Sequence, residues 1–421
     1  MAVIKTMTPE VKRRIEQIRH GIVPEGYKRT KSGIYPEDWT EYTLGDIYTE
    51  RKEPGNESLP LLMVSIHSGV SDGEVDVEDL PKKVKRIEDK SQYKRTATGD
   101  LVFNMMRAWQ GAIGTVRTEG MVSPAYIVAE PNKLVDPLFM DYLMRTPRMV
   151  GAIHKQSYGV TDFRLRLYWD SFAPIHCVLP SVPEQEKIGE AVDIQNKIID
   201  LKEKLLAEKQ RQKKYLMQQL LSGKKRLPGF DGEWKQNKLG KLFAERSETK
   251  CEHLELLAIT GTQGVIPRSQ LDLKDNSSED KSKYLHICVG DIGYNTMRMW
   301  QGVSAYSNYD GIVSPAYTIL KPSSDINAKY FAYLFKMPDV VFLFYRFSQG
   351  LVDDTRNLKY ANFKKISVTY PADKEEQNAI VAVLEKADLE IDLLRQSIEQ
   401  EKQMKKALMQ LLLTGIVRVN A

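Results

Sequence analysis

The sequence predicts an α+β protein: two tandem α+β domains, separated by two long helices packed as an antiparallel coiled coil with approximate twofold symmetry. Three observations carry that prediction. One long block of sequence occurs twice. Each copy changes texture partway, from short apolar runs punctuated by Gly and Pro to a long stretch free of Pro. That stretch places apolar residues at alternating spacings of four and three, the signature of a coiled-coil seam.

The duplication is read from identities held at constant offset. MMRAWQGAIG starts at Met105 and TMRMWQGVSA at Thr296, so Arg107, Trp109, Gln110 and Gly111 recur 191 positions later as Arg298, Trp300, Gln301 and Gly302. GMVSPAY from Gly120 recurs as GIVSPAY from Gly311 at the same offset. Upstream the offset is 195, pairing Trp39, Leu44, Gly45, Glu50 and Arg51 with Trp234, Leu239, Gly240, Glu245 and Arg246. Downstream it is 192, pairing KKYLMQQLLSGKKR from Lys213 with KKALMQLLLTGIVR from Lys405. A drifting offset means small loop insertions, so the copies are whole folded units. The period far exceeds the roughly 20–50 residues of solenoid repeats, so each copy holds its own core.

The elements follow in order. Residues 1–36 form an N-terminal helix, Pro9 to His20, and a lead-in. Residues 37–182 are the first α+β domain, with runs such as GDLVFNM and AYIVAE between Gly and Pro breaks. Residues 183–222 are the central long helix, 223–233 a linker (GKKRLPGFDGE), and 234–372 the second α+β domain. Residues 373–415 are the C-terminal long helix and 416–421 a tail. In the second long helix Ile380, Leu384, Ala387, Ile391, Leu394 and Ile398 form the seam; Glu401 and Lys405 interrupt it before Leu408 and Leu412 resume. The first shows Ile188, Val192, Ile199, Leu206, Leu216 and Leu220 in the same register, with Gln195, Lys202, Lys209 and Lys213 in the gaps. Gly223 and Gly415 stop the helices as left-handed caps. A helix of this size is about 57 Å long at about 1.5 Å per residue. A short linker at its far end makes the second helix run back, which would put the domains at opposite ends of a rod.

Bulk properties narrow the class. With 421 residues, 42% hydrophobic and 28% charged, the chain suits two ordinary domains and shows no apolar run of membrane-spanning length. The N-terminus interleaves charge with apolar residues, unlike a secretory signal. Cys177, Cys251 and Cys288 are scattered and odd in number, which argues against a disulfide framework and for a cytoplasmic setting. A net charge of +5 permits a polyanionic partner without requiring one.

Catalytic patterns are absent. SPAY at Ser123–Tyr126 and Ser314–Tyr317 superficially resembles the loop with which amino-methyltransferases hold a flipped base, but Ala replaces the second Pro in both copies and no Gly-x-Gly loop offers a cofactor site. No phosphate-binding Gly-Lys-Ser/Thr loop occurs. His67, His154, His176, His253 and His286 show no metal-ligand spacing and read as ordinary surface or core residues, so no metal is expected.

The layout, together with the helix start PSVPEQEKI and the helix end LMQQLLSGKKR, resembles the specificity subunit of type I restriction-modification enzymes over essentially the whole chain. The second copy departs from it, with YPADKEEQNAI replacing the proline-rich lead-in. The resemblance implies that each α+β domain is a target recognition domain reading half of a bipartite site on double-stranded DNA, with the helices fixing the spacer. It also implies a non-catalytic chain without a cofactor of its own, docking two modification subunits that carry S-adenosylmethionine and methylate adenine. Two restriction subunits driven by ATP would complete the complex. A coiled-coil assembly scaffold without DNA recognition is the alternative reading.

Three regions are candidate DNA contacts. In the duplicated loop, Arg107 and Arg298 could hold phosphates or guanine edges, and Gln110 and Gln301 could pair with adenine. Trp109 and Trp300 could stack on or line a DNA pocket, although packing in each core is the preferred reading. Residues identical in two domains that read different sequences cannot encode the difference, so base specificity belongs to unmatched segments. There Lys82, Lys83, Lys85, Arg86, Lys94 and Arg95 form a basic cluster. The third region is SYGVTDFRLR against SQGLVDDTRN, with Arg164 and Arg356 read as counterparts that touch DNA or form salt bridges.

Overall fold

The computed structural model describes residues 8–66, 69–71, 90–160, 164–261, 263–271 and 278–419. The chain divides into two compact units: Met1–Glu203 with Ser397–Ala421, and Lys204–Gln396. Among the described residues the longer helices are α1 (Pro9–Arg19), α2 (Pro137–Met144), α3 (Pro147–Gln156), α4 (Val182–Leu220), α5 (Ala328–Leu334), α6 (Pro338–Phe347) and α7 (Lys374–Leu412). Each long helix, α4 and α7, therefore gives one half to each unit.

In the first unit a four-stranded antiparallel sheet runs in the order Tyr48–Glu50, Tyr126–Pro131, Leu101–Asn104, Ile113–Thr115. Period-two alternation loads both faces. Leu101, Phe103, Ile127 and Ala129 join the main core with Phe139, Met140 and Phe172, while Val102 and Val128 face a smaller core with Leu62, Val64 and Val122. The second unit repeats the plan with Phe243–Arg246, Tyr317–Pro322, Ile292–Asn295 and Ser304–Tyr306. An ion pair on a buried aspartate recurs in both units: Arg51 Nε lies 2.8 Å from Asp100 Oδ2, and Arg246 Nε 2.7 Å from Asp291 Oδ2.

The long helices pack antiparallel within each unit. In the first, the amide of Gln195 donates to Glu401 Oε2 (2.6 Å), and the ammonium of Lys202 reaches both Glu401 Oε1 and Ser397 Oγ (2.7 Å each). In the second, Lys209 pairs with Glu390 at 2.8 Å and Lys213 with Asp388. Gln195, Lys202, Lys209 and Lys213, which interrupt the apolar register of α4, thus each meet an acidic residue of α7. Ile188, Val192, Ile199, Leu220, Ile380, Leu384, Ile391, Ile398 and Leu412 are buried, whereas Leu206, Leu216, Leu394 and Leu408 are half-buried. Gly223 and Gly415 adopt φ of 72° and 68°, where a left-handed residue closes the helix end.

The conserved spacing between copies at the helix ends has a physical cause. Buried Gln185 donates to the carbonyls of Leu134 and Pro180 (3.0 Å each) and accepts from the Asp136 N–H (2.9 Å). Gln377 does the same for Pro371 (3.0 Å) and Asn327 (2.8 Å). Beside them Glu184 receives Arg418 and Glu376 receives Arg226, and these arginines lie over the rings of Trp39 and Trp234. Each Glu-Gln start is therefore locked to its α+β domain and to the arginine that follows the end of the opposite helix. Helix α1 joins the first unit through Arg14, which donates to the Ile416 carbonyl at 2.6 Å.

Candidate nucleic-acid interface

The twice-written loop is built identically in both units. Asn104 and Asn295 end a strand and accept the N–H of Met106 and Met297 through their side chains, at 2.9 Å in both. Arg107 and Arg298 follow with near-identical backbones (φ/ψ −132°/3° and −130°/5°), then one turn of 3₁₀ helix, Ala108–Gln110 and Met299–Gln301. Gly111 and Gly302 close it at φ 101° and 79°, a region costly for any residue with a Cβ. The indole N–H of Trp109 donates back to the Met106 carbonyl and that of Trp300 to Met297, each at 3.0 Å. The half-buried rings lie against α3 and α6, 5.6 Å from His154 and 6.2 Å from Tyr345. The tryptophans thus shape the loop, while Arg107, Gln110, Arg298 and Gln301 are exposed beside it.

In the second unit the loop is also held from behind. Lys336 donates to the carbonyls of Gly302 (2.7 Å) and Ser304 (2.6 Å), and burial pushes its pKa down to about 8.

The second loop lies next to the first. The Leu167 N–H donates to Met105, and the Leu358 N–H to Thr296. In the first unit the two loops line a cleft of about 450 Å³ that includes Met106, Tyr158, Val160, Arg164, Arg166 and Tyr168. Arg107 and Arg164, chosen separately from sequence, are thereby brought to neighbouring loops, both exposed. Sequence reasoning passed over Arg166 and Tyr158; their paired backbone hydrogen bonds, 3.0 Å each, close the second loop.

Two sequence readings change. Arg164 and Arg356 are not counterparts. The bridges Tyr158–Arg166 and Gln349–Asn357 set the offset at 191, which places Thr355 opposite Arg164 and Leu165 opposite Arg356. Arg356 is also engaged internally, on Asp353 (2.8 Å), on the Tyr345 hydroxyl (2.9 Å) and over the Tyr345 ring. In the basic cluster, Lys94 turns inward to the Tyr126 carbonyl at 2.7 Å, and burial lowers its pKa. Arg95 bridges Glu53 (2.6 Å) and Glu119 (2.7 Å). Lys82, Lys83, Lys85 and Arg86 lie outside the described residues.

No family model matches the sequence. Solved structures do match the fold. The S subunit of the type I restriction-modification system from M. genitalium aligns with TM-score 0.54 and 13% identity over 89% of this chain and 96% of that one. A chain from a structure of complex assembly and conformational transition of the type I R-M system aligns with TM-score 0.53 and 17% identity over 91% and 99%. This chain has the fold of a type I restriction-modification S subunit. The HsdS subunit from Thermoanaerobacter tengcongensis also aligns, at TM-score 0.48 and 18% identity over 91% and 98%.

In this S-subunit fold the two duplicated loops occupy equivalent places in the two α+β domains. Each offers a fixed backbone, an exposed guanidinium and an exposed carboxamide, the groups suited to phosphate and base edges. No helix among the described residues is long and apolar enough to cross a membrane.

Proposed function

We propose that the chain is the DNA-specificity subunit of a type I restriction-modification complex. Each α+β domain reads one half of a bipartite target, and the duplicated loop positions it on the duplex. The reading is carried by one observation: two S-subunit-like domains present the same exposed Arg-x-x-Gln geometry on the same tryptophan-braced turn. Because Arg107 and Arg298 are common to both copies, they serve phosphates or shared features, and sequence discrimination falls to the unmatched segments. The two helices, 39 residues each, span about 58 Å at about 1.5 Å per residue. Successive major-groove faces lie about 34–36 Å apart, so helices of this size suffice to set an unread spacer.

The chain supplies recognition and docking, and modification subunits supply S-adenosylmethionine and methyl transfer to adenine. ATP-dependent restriction subunits are the further partners of such a complex, and its setting is the cytoplasm. The test is a gel-shift titration of the chain with its modification partner. Specific binding to an asymmetric bipartite duplex, weakening steeply with salt, is the expected result. Absent or salt-insensitive binding rejects the reading in favour of a scaffold. The isolated chain should transfer no methyl groups.

A further inference from the structure

The second α+β domain carries a cluster that its sequence spacing does not reveal. His286 sits on the short strand Leu285–Ile287 with both ring nitrogens engaged by carboxylates: Nδ1 is 3.0 Å from Glu248 Oε2 and Nε2 is 2.9 Å from Asp310 Oδ1. Cys288, two residues on, brings its sulfur to 3.6 Å from Nε2. Donor atoms of His286, Cys288 and Asp310 all lie within 4.8 Å of one another, as do those of Glu248, Cys251 and His286.

The first domain shows what this place in the fold requires. The Arg95 N–H donates to the Glu53 carbonyl and the His286 N–H to the Glu248 carbonyl, each at 2.9 Å, so the two positions are equivalent. Likewise the Ala97 N–H donates to Asp100 and the Cys288 N–H to Asp291. In the first domain a permanent cation, Arg95, ties Glu53 and Glu119 together. The second keeps both carboxylates, as Glu248 and Asp310, but replaces the arginine by a histidine that is only conditionally charged. It adds a thiol where the first domain has Ala97, and a second, Cys251, where the first has Asn56.

We infer that His286, Cys288 and Asp310 bind a soft divalent cation of the zinc type, with Glu248 orienting the imidazole. Zinc bonds of about 2.0–2.3 Å at tetrahedral angles separate ligand atoms by about 3.3–3.8 Å, which suits the sulfur-to-nitrogen distance already present. The thiol and the Nε2 proton leave on binding, so Cys288 ligates as thiolate and His286 through Nε2. Nδ1–H then donates to Glu248, the carboxylate–histidine–metal arrangement that fixes tautomer and ring plane. Water completes four-coordination. The ion restores the cation that Arg95 supplies in the first domain, clasping the 248–251 segment, the strand at His286 and the turn at Asp310.

The test is cobalt(II) titration of the full chain after removal of metal by a chelator, with zinc as competitor. One ion per chain, displaced by zinc and giving a thiolate-to-cobalt charge-transfer band, is the expected result. Cys288→Ala, which copies the first domain and should fold, abolishes the band. Glu248→Gln retains it with affinity lower by about 10–100-fold. His286→Arg, which recreates the first domain's bridge, binds no cobalt while holding thermal stability at or above that of the metal-free parent. Failure of the parent to take up one equivalent, or undiminished binding by Cys288→Ala, overturns the proposal and leaves the histidine as an ion-pair bridge.

Discussion

Arg226 grips Glu376 with two hydrogen bonds, Nε to Oε1 at 2.5 Å and Nη2 to Oε2 at 2.6 Å, and the glutamate is only 2% exposed. Arg418 and Glu184 repeat the grip in the other unit. Removing one partner strands a buried charge. Arg226→Ala should cost about 2–4 kcal/mol, reduced from the fully buried case because the arginine keeps some solvent contact. Chemical denaturation measures it, and the Arg226→Met, Glu376→Leu double variant should recover most of the loss.

The arginines of the duplicated loop have no ion-pair partner among the described residues and stand exposed. Arg107→Ala and Arg298→Ala should each weaken DNA binding and reduce the logarithmic salt slope by about 1, with stability unchanged within about 0.5 kcal/mol. Titrations at several salt concentrations check this, and unchanged affinity in both variants would make these residues structural.

Trp300 reaches the Met297 carbonyl through its indole N–H. Trp300→Phe keeps most of the ring packing and loses that bond, so a destabilisation of about 1 kcal/mol is expected together with weaker DNA binding. Thermal unfolding and gel shift report the two effects separately.

Leu384 and Ile391 are buried on one face of α7. Replacing both with Lys should cost more than about 4 kcal/mol, since neither ammonium finds a buried partner. Loss of helical circular dichroism at room temperature is the readout; a stable, fully helical variant would refute the seam.

Glu401 is held below its ordinary carboxylate pKa of 4.5, first by the Lys202 ammonium and then by the Gln195 amide. A depressed folded value means that its stabilisation is present above pH 4.5 and lost as the pH falls through the lowered value. The effect should stay under about 1 kcal/mol, because the pair keeps solvent contact. Glu401→Gln should flatten the acid limb of the stability curve below about pH 5.

The duplication, the two-part texture of each copy and most of the seam were legible because each is a local or periodic pattern. The tryptophan loop was legible as a duplicated loop for the same reason. The failures share a cause as well. Matching Arg164 to Arg356 required choosing between offsets of 191 and 192 inside a loop, where only backbone pairing decides. Lys94 and Arg95 are adjacent in sequence, but strand alternation sends one inward to a carbonyl and leaves the other between glutamates. Glu248, Cys251, His286 and Asp310 come together only through strand pairing, so no spacing rule could have found them.

Gln185 and Gln377 carry one more implication. Among the described residues, each carboxamide hydrogen-bonds only to main-chain atoms of its α+β domain. A foreign domain grafted at this joint would inherit the same bearing whatever residues it displayed outward. At these two points the joint works as a socket shaped to the main chain of the part plugged into it.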